Sequence, residues 1–277
     1  MAGNSSFSSL VDSNQTWTTS DIDFTVKVEA TNLQPSTRYW YRFSTCHDHE
    51  AHSPVGKLKT TPTDSGKADD LKMAVFSCSN YPFGFFNAYQ AVSKMDDVDY
   101  ALHLGDAVYE RAGDGSAHAY GDGRSINRVP LPNKEILTLD EYRTRHAQAK
   151  TDEGSLALLS NKTLIAVWDD HEVADNSWKS GSADSNDTAQ GTIDGVTFTK
   201  RKRAAVRAYF EYMPIRQVNT TDDLRIWRSF EYGKLADITM LDTRNYERDI
   251  TDLYYNTAQV AAMSNDTQRS LMGGKQE

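Results

Sequence analysis

Four apolar segments of this sequence each run directly into residues that bind metals or carry charge. The segments are "MAVFSC", "YALHLGD", "TLIAVWDD" and "ITMLDTR", and their final residues include Cys78, Asp106, Asp169, Asp170, Asp242 and Arg244. Continuous apolar runs of this length are typical of buried strands in α/β proteins, whose ligands bind beyond the strand ends. The pattern therefore predicts one site to which several strands contribute.

The same region alternates strand-like and helix-like segments, which predicts a layered α/β core over residues 71–277. The helical segments are "FFNAYQAVSKM", "TLDEYRTRHAQAK" and "TKRKRAAVRAYFEYM". Residues 62–70 are polar and rich in turn formers, as expected of a linker. The fold class is thus α/β, or α+β when the N-terminal part is counted as its own domain.

Residues 1–61 have the pattern of a small antiparallel β-sandwich. "FTVKVEA" and "YWYRFST" alternate with the strand period, and "GKLKTTP" reads as a closing strand. The side chains expected to be half-buried in these strands are Phe24, Val26, Val28, Tyr39, Tyr41 and Phe43. Because the pattern covers only part of a sandwich, we expect an unpaired strand edge.

Charge and composition exclude some classes of protein. The formal net charge of −9 argues against a nucleic-acid surface, and "KRKR" at residues 200–203 is interpreted as one solvated helix face. No apolar run reaches the roughly 18 residues of a membrane span, and the polar start lacks a signal peptide. Two cysteines give no disulfide framework. Six Asn-x-Ser/Thr sequons nevertheless favour a secreted or cell-surface location, at Asn4, Asn14, Asn161, Asn186, Asn219 and Asn265.

The chemistry of the converging side chains indicates metal binding. Carboxylates, a thiol, the phenol of Tyr109 and the imidazole of His171 would repel one another or lack partners without a cation. A pair of metals can polarise a phosphoryl oxygen and activate water, so hydrolysis of a phosphate ester is predicted. Simpler explanations remain open for each element: a plain turn at Asp106, a small buried hydrophobe at Cys78, and helix capping by "DDHE".

Three further residues are interpreted as structural. His103 is expected to pack inside the strand layer as a hydrogen-bonded core histidine. Arg145 and His146 are expected to form a helix face, with one of them leaning toward the site.

Several of these motifs, in this order, resemble the PhoD-like alkaline phosphatases of the metallophosphatase superfamily. The similar segments are "FSCSNYPFGFFNAY", "LHLGDAVYE", "TLDEYRTRHAQ", "WDDHEVADN" and "LDTRNY". The N-terminal segments "FTVKVEATNLQPSTRYWYRF" and "SPVGKLKTTP" likewise resemble that family's fibronectin-like domain. The resemblance extends from about residue 21 to residue 276 and implies a phosphomonoesterase or phosphodiesterase with a metallophosphatase core.

The resemblance also implies roles for individual residues and a metal content of Fe³⁺ and Ca²⁺. By matching position, Cys78 and Tyr109 would bind iron and Asp106 would bridge the metals. Asp170 corresponds to a metal-binding asparagine of the wider superfamily, and His171 to a histidine that contacts phosphate or protonates the leaving group. Asn176, Asp242 and Arg244 are expected beside these ligands, with Arg244 also expected to contact phosphate.

One difference from the family pattern bears on activity. The family's later "GDxH" segment, which supplies further ligands, has no counterpart before the final "LMGGKQE", and the earliest sandwich motifs have none before "NSSFSSL". We therefore expect a part of a longer protein with half of the ligand set, and weak metal binding. The alternative is an inactive or non-catalytic protein that keeps the fold.

Overall fold

A computed structural model describes residues 1–46, 51–217, 221–250 and 257–276 of the chain. The strands, in chain order, are β1 (Arg38–Tyr41), β2 (Gly56–Lys59), β3 (Met73–Phe76), β4 (Tyr100–His103), β5 (Thr163–Ala166), β6 (Arg228–Tyr232) and β7 (Ala236–Met240). The helices are α1 (Asn87–Ser93), α2 (Leu139–Lys150), α3 (Glu153–Asn161), α4 (Phe198–Tyr212) and α5 (Thr257–Ser264). This order confirms the predicted α/β class.

A three-stranded parallel sheet in the order β3, β4, β5 forms the centre of the α/β core in residues 71–277. Alternate side chains of these strands divide between two hydrophobic clusters, one containing Ala101 and the other Ile165. Helices α1 and α3 pack together, as do α2 and α4. Because all three strands run in one direction, their following loops meet at the same edge of the sheet.

Polar residues at the helix starts fix where the helices begin. Glu141 in the first turn of α2 accepts hydrogen bonds from the amides of Leu137 and Thr138, at 2.8 and 3.0 Å. Asp152 accepts from the amides of Gly154 and Ser155 and so begins α3, a helix that the sequence analysis did not predict. Side chains that bind the free amides of a first turn stabilise helix ends in this way.

The N-terminal prediction is correct for two strands and wrong for one. Strands β1 and β2 pair antiparallel, and Tyr39 on β1 is buried. Residues 24–30 form no strand, and the side chains of Phe24, Val26 and Val28 are exposed. Lys27 is also exposed, but its Nζ donates to the carbonyl oxygen of Met213 at 2.8 Å. The free carbonyls at the end of α4 need donors, and this need outweighs the apolar alternation.

Two further N-terminal and helical predictions differ from the structure. Tyr41 is half-buried as expected, but Phe43 lies beyond the end of β1 and is exposed. Of the four basic residues at 200–203, Arg201 and Lys202 are buried rather than solvated. Arg201 pairs with Glu135 at 2.7 Å, so burial of its charge is compensated.

Candidate metal centre

The loops after β3 and β4 bring the first pair of predicted ligands together. Cys78 and Asp106 each follow a strand by two or three residues, and each has a backbone φ of 58°. The Cys78 amide donates to the Gly105 carbonyl at 3.2 Å, and the Ser79 amide donates to the Asp106 carbonyl at 2.8 Å. The Sγ of Cys78 consequently lies 3.4 Å from Oδ2 of Asp106.

The tyrosine three residues after Asp106 joins this pair. Tyr109 donates its hydroxyl to the same Oδ2 of Asp106 at 3.3 Å. Its ring centroid lies 4.3 Å from that of His171. The thiol, the carboxylate and the phenol therefore share one small volume, although the thiol comes from a different strand end.

A glycine allows the next loop to approach. Gly105 has a φ of +111°, and a Cβ added there would lie 2.2 Å from the backbone nitrogen of Asp169. No residue with a side chain fits so close to a neighbouring backbone. Gly105 thus brings the loop after β5 against the loop after β4.

The loop after β5 supplies the second carboxylate and the imidazole. One ligand atom from each of Asp106, Asp170 and His171 lies within 4.8 Å of the others. The Oδ2 of Asp170 accepts a 2.6 Å hydrogen bond from the backbone amide of Asn176. All four residues predicted to bind metal therefore converge, and Asn176 supports one of them through its main chain.

The acids of the cluster are held in unfavourable surroundings for their charges. Burial raises the pKa of Asp106, and nearby Asp169 adds to this effect. Burial, with Asp169 alongside, also raises the pKa of Asp170 to about 6. The pKa of Tyr109 is raised by burial and by the charges of Asp106 and Cys78. A cation placed among these groups would remove most of this penalty.

The residues present fit a metal ion. Among the described residues, Oδ1 of Asp106 is buried and has no hydrogen-bond partner. A buried carboxylate oxygen without a partner is unusual, and a bound cation is one of the groups that would satisfy it. Two carboxylates, a thiol and a phenol also form a donor set suited to hard and borderline metals.

His171 is held by an acid that the sequence reading did not assign. Its Nδ1 lies 2.8 Å from Oε2 of Glu110, a fully buried side chain. Burial opposes the charged imidazole, but the hydrogen bond and charge of Glu110 raise the pKa of His171 to about 9. The only sequence signal was the acid directly after Tyr109 in "VYE".

A second unassigned acid, Glu172, ties two of the loops together. Its carboxylate accepts from the amide of Ala107 at 2.7 Å and from the amide of Asp169 at 2.9 Å. It is fully buried, and burial with the charge of Asp106 raises its pKa to about 8. Glu172 therefore joins the backbones that carry Asp106 and Asp170.

The residues from β7 lie beside the cluster. Arg244 binds both oxygens of Asp169, at 2.7 and 3.2 Å, and lies 3.4 Å from Oδ1 of Asp170. Asp242 is buried and accepts hydrogen bonds from the amides of Arg244 and Asn245, at 2.8 and 2.7 Å. Asp242 thus shapes the turn that presents Arg244, and its carboxylate has no described contact with the other acids.

The three residues interpreted as structural are all buried. His103 is hydrogen-bonded inside the sheet as expected. Arg145 donates to the carbonyl of Arg111 at 3.0 Å and to that of Tyr109, so it supports the loop that carries a predicted ligand. Neither ring nitrogen of His146 has a partner among the described residues, and its ring stacks on Tyr212.

Parallel strands whose following loops gather metal-binding side chains define an α/β protein with a candidate metal centre at the sheet edge. Residues 73–277 match the model of the PhoD-like phosphatase family, and residues 1–62 match the model of that family's N-terminal domain. The chain belongs to the PhoD-like phosphatase family, which confirms the resemblance found in its motifs.

Two known proteins are similar over nearly the whole chain. Alkaline phosphatase D of Bacillus subtilis (strain 168) is 35% identical over 254 residues, which cover 91% of this chain and 41% of that protein. A solved structure of PhoD is 31% identical with a TM-score of 0.82, covering 99% of this chain and 50% of that one. The chain thus spans half or less of the length of these relatives. Within the described residues, no helix combines the length and apolarity needed to cross a membrane.

Proposed function

We propose that this protein hydrolyses phosphate esters in a metal-dependent reaction. The family membership and the similarity to an alkaline phosphatase D support the reaction class. The observation that carries the proposal is the convergence of Asp106, Asp170 and His171, with their ligand atoms within 4.8 Å of one another, beside Cys78 and Tyr109. Phosphomonoesters and phosphodiesters are both substrates consistent with this assignment.

For the metals we propose Fe³⁺ and Ca²⁺. Cys78 and Tyr109 offer sulfur and phenolic oxygen, which suit ferric iron, and Asp106 lies against both of them. Asp170 offers a second carboxylate within 4.8 Å of that of Asp106, and oxygen ligands suit calcium. Asp106 is accordingly the residue best placed to be shared between two ions.

The side chains beside the proposed metals would have separate roles in hydrolysis. When bound, the cations would neutralise the phosphoryl oxygens and lower the pKa of water. His171, kept protonated and oriented by Glu110, would stabilise the phosphate or give a proton to the leaving alcohol. Arg244 is held by Asp169 beside Asp170, where a guanidinium can also contact a phosphate oxygen.

Metal analysis together with hydrolysis assays tests the proposal. The purified chain is loaded with Fe³⁺ and Ca²⁺, its metal content is measured, and p-nitrophenyl phosphate and bis(p-nitrophenyl) phosphate are offered as substrates. Asp106→Asn should lose both bound metal and hydrolysis. Asp97→Asn is the matched control, because Asp97 is an exposed acid that pairs with Lys72 at 2.9 Å, and this variant should behave as wild type.

The outcomes distinguish a metal-dependent phosphatase from a non-catalytic protein that keeps the fold. Bound metal with hydrolysis of either ester, lost in Asp106→Asn alone, supports the proposal. Bound metal without hydrolysis supports the alternative of a non-catalytic protein that keeps the fold. Absence of bound metal in the wild type, at millimolar Ca²⁺ and micromolar Fe³⁺, would exclude a metal centre in this chain.

We also propose a secreted or cell-surface location, on the basis of the sequons. Asn14 and Asn265 are exposed, as N-glycosylation requires. Asn161 is half-buried, and this lower exposure is what separates it from Asn265, because the Nδ2 of each donates to a carbonyl four residues earlier, at 2.8 and 3.0 Å. Expression through a glycosylating secretory host should therefore modify Asn14 and Asn265 before Asn161, and a peptide map after glycosidase treatment would show the order.

A further inference from the structure

Behind the cluster lie three mutually hydrogen-bonded side chains that the proposed reaction does not use. The Tyr89 hydroxyl, on α1, lies 2.6 Å from Nε2 of His103, the last residue of β4. The same hydroxyl forms a short hydrogen bond with Oγ of Ser79, and that Oγ lies 3.3 Å from the same Nε2 of His103. Tyr89 and His103 are both buried. Ser79, Tyr89 and His103 are called the relay below.

The direction of the hydrogen bonds in the relay follows from one backbone amide. The Gly105 amide can only donate, and it lies 3.2 Å from Nδ1 of His103. Burial lowers the pKa of His103 to about 4, so the ring is neutral near pH 7. With Nδ1 accepting, the proton of His103 is on Nε2 and is donated to Tyr89. Tyr89 in turn donates to Ser79.

The two ends of the relay are joined to the two turns that carry predicted ligands. Ser79 directly follows Cys78, and His103 binds the amide of Gly105, which directly precedes Asp106. Cys78 and Asp106 both have φ values of 58°, in the left-handed region that residues with a Cβ avoid. Such conformations persist only where the surrounding structure holds them.

We propose that the relay is a positioning device that holds the thiol of Cys78 against the carboxylate of Asp106, so that a metal ion meets a preformed pair of ligands. This inference rests on the metal centre of the proposed function. Outer hydrogen bonds that orient metal ligands commonly change metal affinity by about 10-fold to 100-fold when they are removed. None of the three side chains of the relay is itself assigned as a ligand.

Removing one hydroxyl at a time tests the relay. Tyr89→Phe keeps the ring, whose edge-on contact with Phe76 has a centroid distance of 4.8 Å, and Ser79→Ala removes the other end of the same hydrogen bond. Tyr100→Phe is the matched control. Tyr100 is a buried tyrosine at the opposite end of β4, and its hydroxyl donates to the Thr60 carbonyl at 3.1 Å.

The first readout needs no metal. In a Cys46→Ser background Cys78 is the sole cysteine, and its rate of alkylation by iodoacetamide is measured in the metal-free chain. Release of the thiol from Asp106 removes a hydrogen bond and a neighbouring negative charge, and both changes favour the reactive thiolate. We expect Tyr89→Phe and Ser79→Ala to speed alkylation several-fold, and Tyr100→Phe to leave the rate unchanged.

The second readout is the binding of Co²⁺ alone. Binding is monitored through the sulfur-to-cobalt charge-transfer absorption. The relay variants should bind Co²⁺ about 10-fold more weakly than the wild type and Tyr100→Phe. If both relay variants match Tyr100→Phe in alkylation, the relay has no positioning role and the proposal is overturned. If the wild type binds no Co²⁺, the metal centre of the proposed function fails, and the alkylation rates alone decide whether the relay positions Cys78.

Discussion

The Oε2 of Glu110 lies 2.8 Å from Nδ1 of His171, although 61 residues separate the two in sequence. The other carboxylate oxygen of Glu110 accepts from the Asp175 amide at 3.0 Å and from the Tyr120 hydroxyl at 3.4 Å. With both oxygens occupied, Glu110 fixes the plane of the imidazole and leaves Nε2 as the nitrogen directed away from it. The acid after Tyr109 thereby orients the residue that we propose contacts the phosphate.

We predict that His171 remains protonated through neutral pH because of Glu110. In the metal-free wild type its pKa should be about 9, and Glu110→Gln should move it toward the ordinary value near 6.5. Glu211→Gln is the control, since Glu211 is a buried acid that pairs with Arg143 at 2.7 Å. Titration of the histidine resonances by NMR measures the shift, and a wild-type value near 6.5 would contradict the prediction.

The same pair predicts how stability depends on pH. The pKa of His171 is raised in the folded state, so its stabilising contribution is complete below about pH 6.5 and is lost as the pH rises through about 9. The free energy of unfolding of the metal-free wild type should therefore fall between pH 6.5 and 9, and Glu110→Gln should show a smaller fall. Urea unfolding followed by circular dichroism at several pH values measures both slopes. Parallel slopes in the two proteins would remove His171 as the source.

Asp106→Asn should stabilise the metal-free chain while abolishing metal binding. The raised pKa of Asp106 means that the fold disfavours its charge, and one of its oxygens has no partner among the described residues. A neutral amide removes that penalty and keeps an oxygen for the thiol of Cys78 and the hydroxyl of Tyr109. We expect a gain of about 1 kcal/mol with a chelator present, measured by urea unfolding at pH 7.5.

A control variant shows whether that gain is specific to the cluster. Asp97 is exposed, and its hydrogen bond and ion pair with Lys72 lower its pKa. Asp97→Asn should therefore give no gain in stability. A loss of stability in Asp106→Asn without metal would show that the carboxylate is favourable in the empty centre, against the prediction.

The positions of the proposed ligands at one sheet edge were predictable because each depends on a local signal. Cys78, Asp106 and Asp170 follow apolar strands directly, and parallel strands bring their loops to one edge. The roles of Glu110 and Glu172 were not predictable in this way. Each binds groups that come from another loop. The residues next to an acid in sequence do not indicate which group more than 60 residues away it will bind.

The N-terminal error has a similar cause. Alternation at Phe24, Val26 and Val28 is a valid strand signal, but a strand also needs a neighbour with which to pair. In the structure the ammonium of Lys27, a residue of this exposed segment, caps the end of α4 by donating to the carbonyl of Met213. Burial of the ammonium lowers the pKa of Lys27 to about 8. Tertiary contact thus overrode the periodic pattern.

Replacement of Arg145 should destabilise the loop that carries Tyr109 and Glu110. Its guanidinium donates to five backbone carbonyls, those of Tyr109, Arg111, Leu131, Pro132 and Lys134. Lysine has one nitrogen and cannot reach this set, so Arg145→Lys should cost about 3 kcal/mol or more. Arg124→Lys, at an exposed arginine of the same loop that pairs with Asp122, should leave stability close to that of the wild type.

Urea unfolding measures both costs, and hydrogen exchange locates the change. Amide protection should fall between residues 105 and 134 in Arg145→Lys and stay near the wild-type level in α4. A uniform loss of protection across the chain would indicate global destabilisation without a specific role in the loop.

Tyr109→Phe tests the residue that makes the ligand set unusual. In the metal-free chain Tyr109 is a neutral phenol, because burial and the nearby charges of Asp106 and Cys78 raise its pKa. Binding to Fe³⁺ would require loss of the phenolic proton and would produce a visible phenolate-to-iron charge-transfer band. The variant keeps the ring, which lies 4.3 Å from His171 between centroids, and removes only the oxygen. We expect loss of the phenolate band and at least about 10-fold weaker Fe³⁺ binding, with little change in the urea midpoint.

Tyr120→Phe is the matched control, because its ring lies 5.7 Å from that of Tyr109 and its hydroxyl contacts Glu110 instead of Asp106. The band should persist in this control. An unchanged band in Tyr109→Phe would remove Tyr109 from the ligand set, and loss of the band in both variants would contradict a role that is specific to Tyr109.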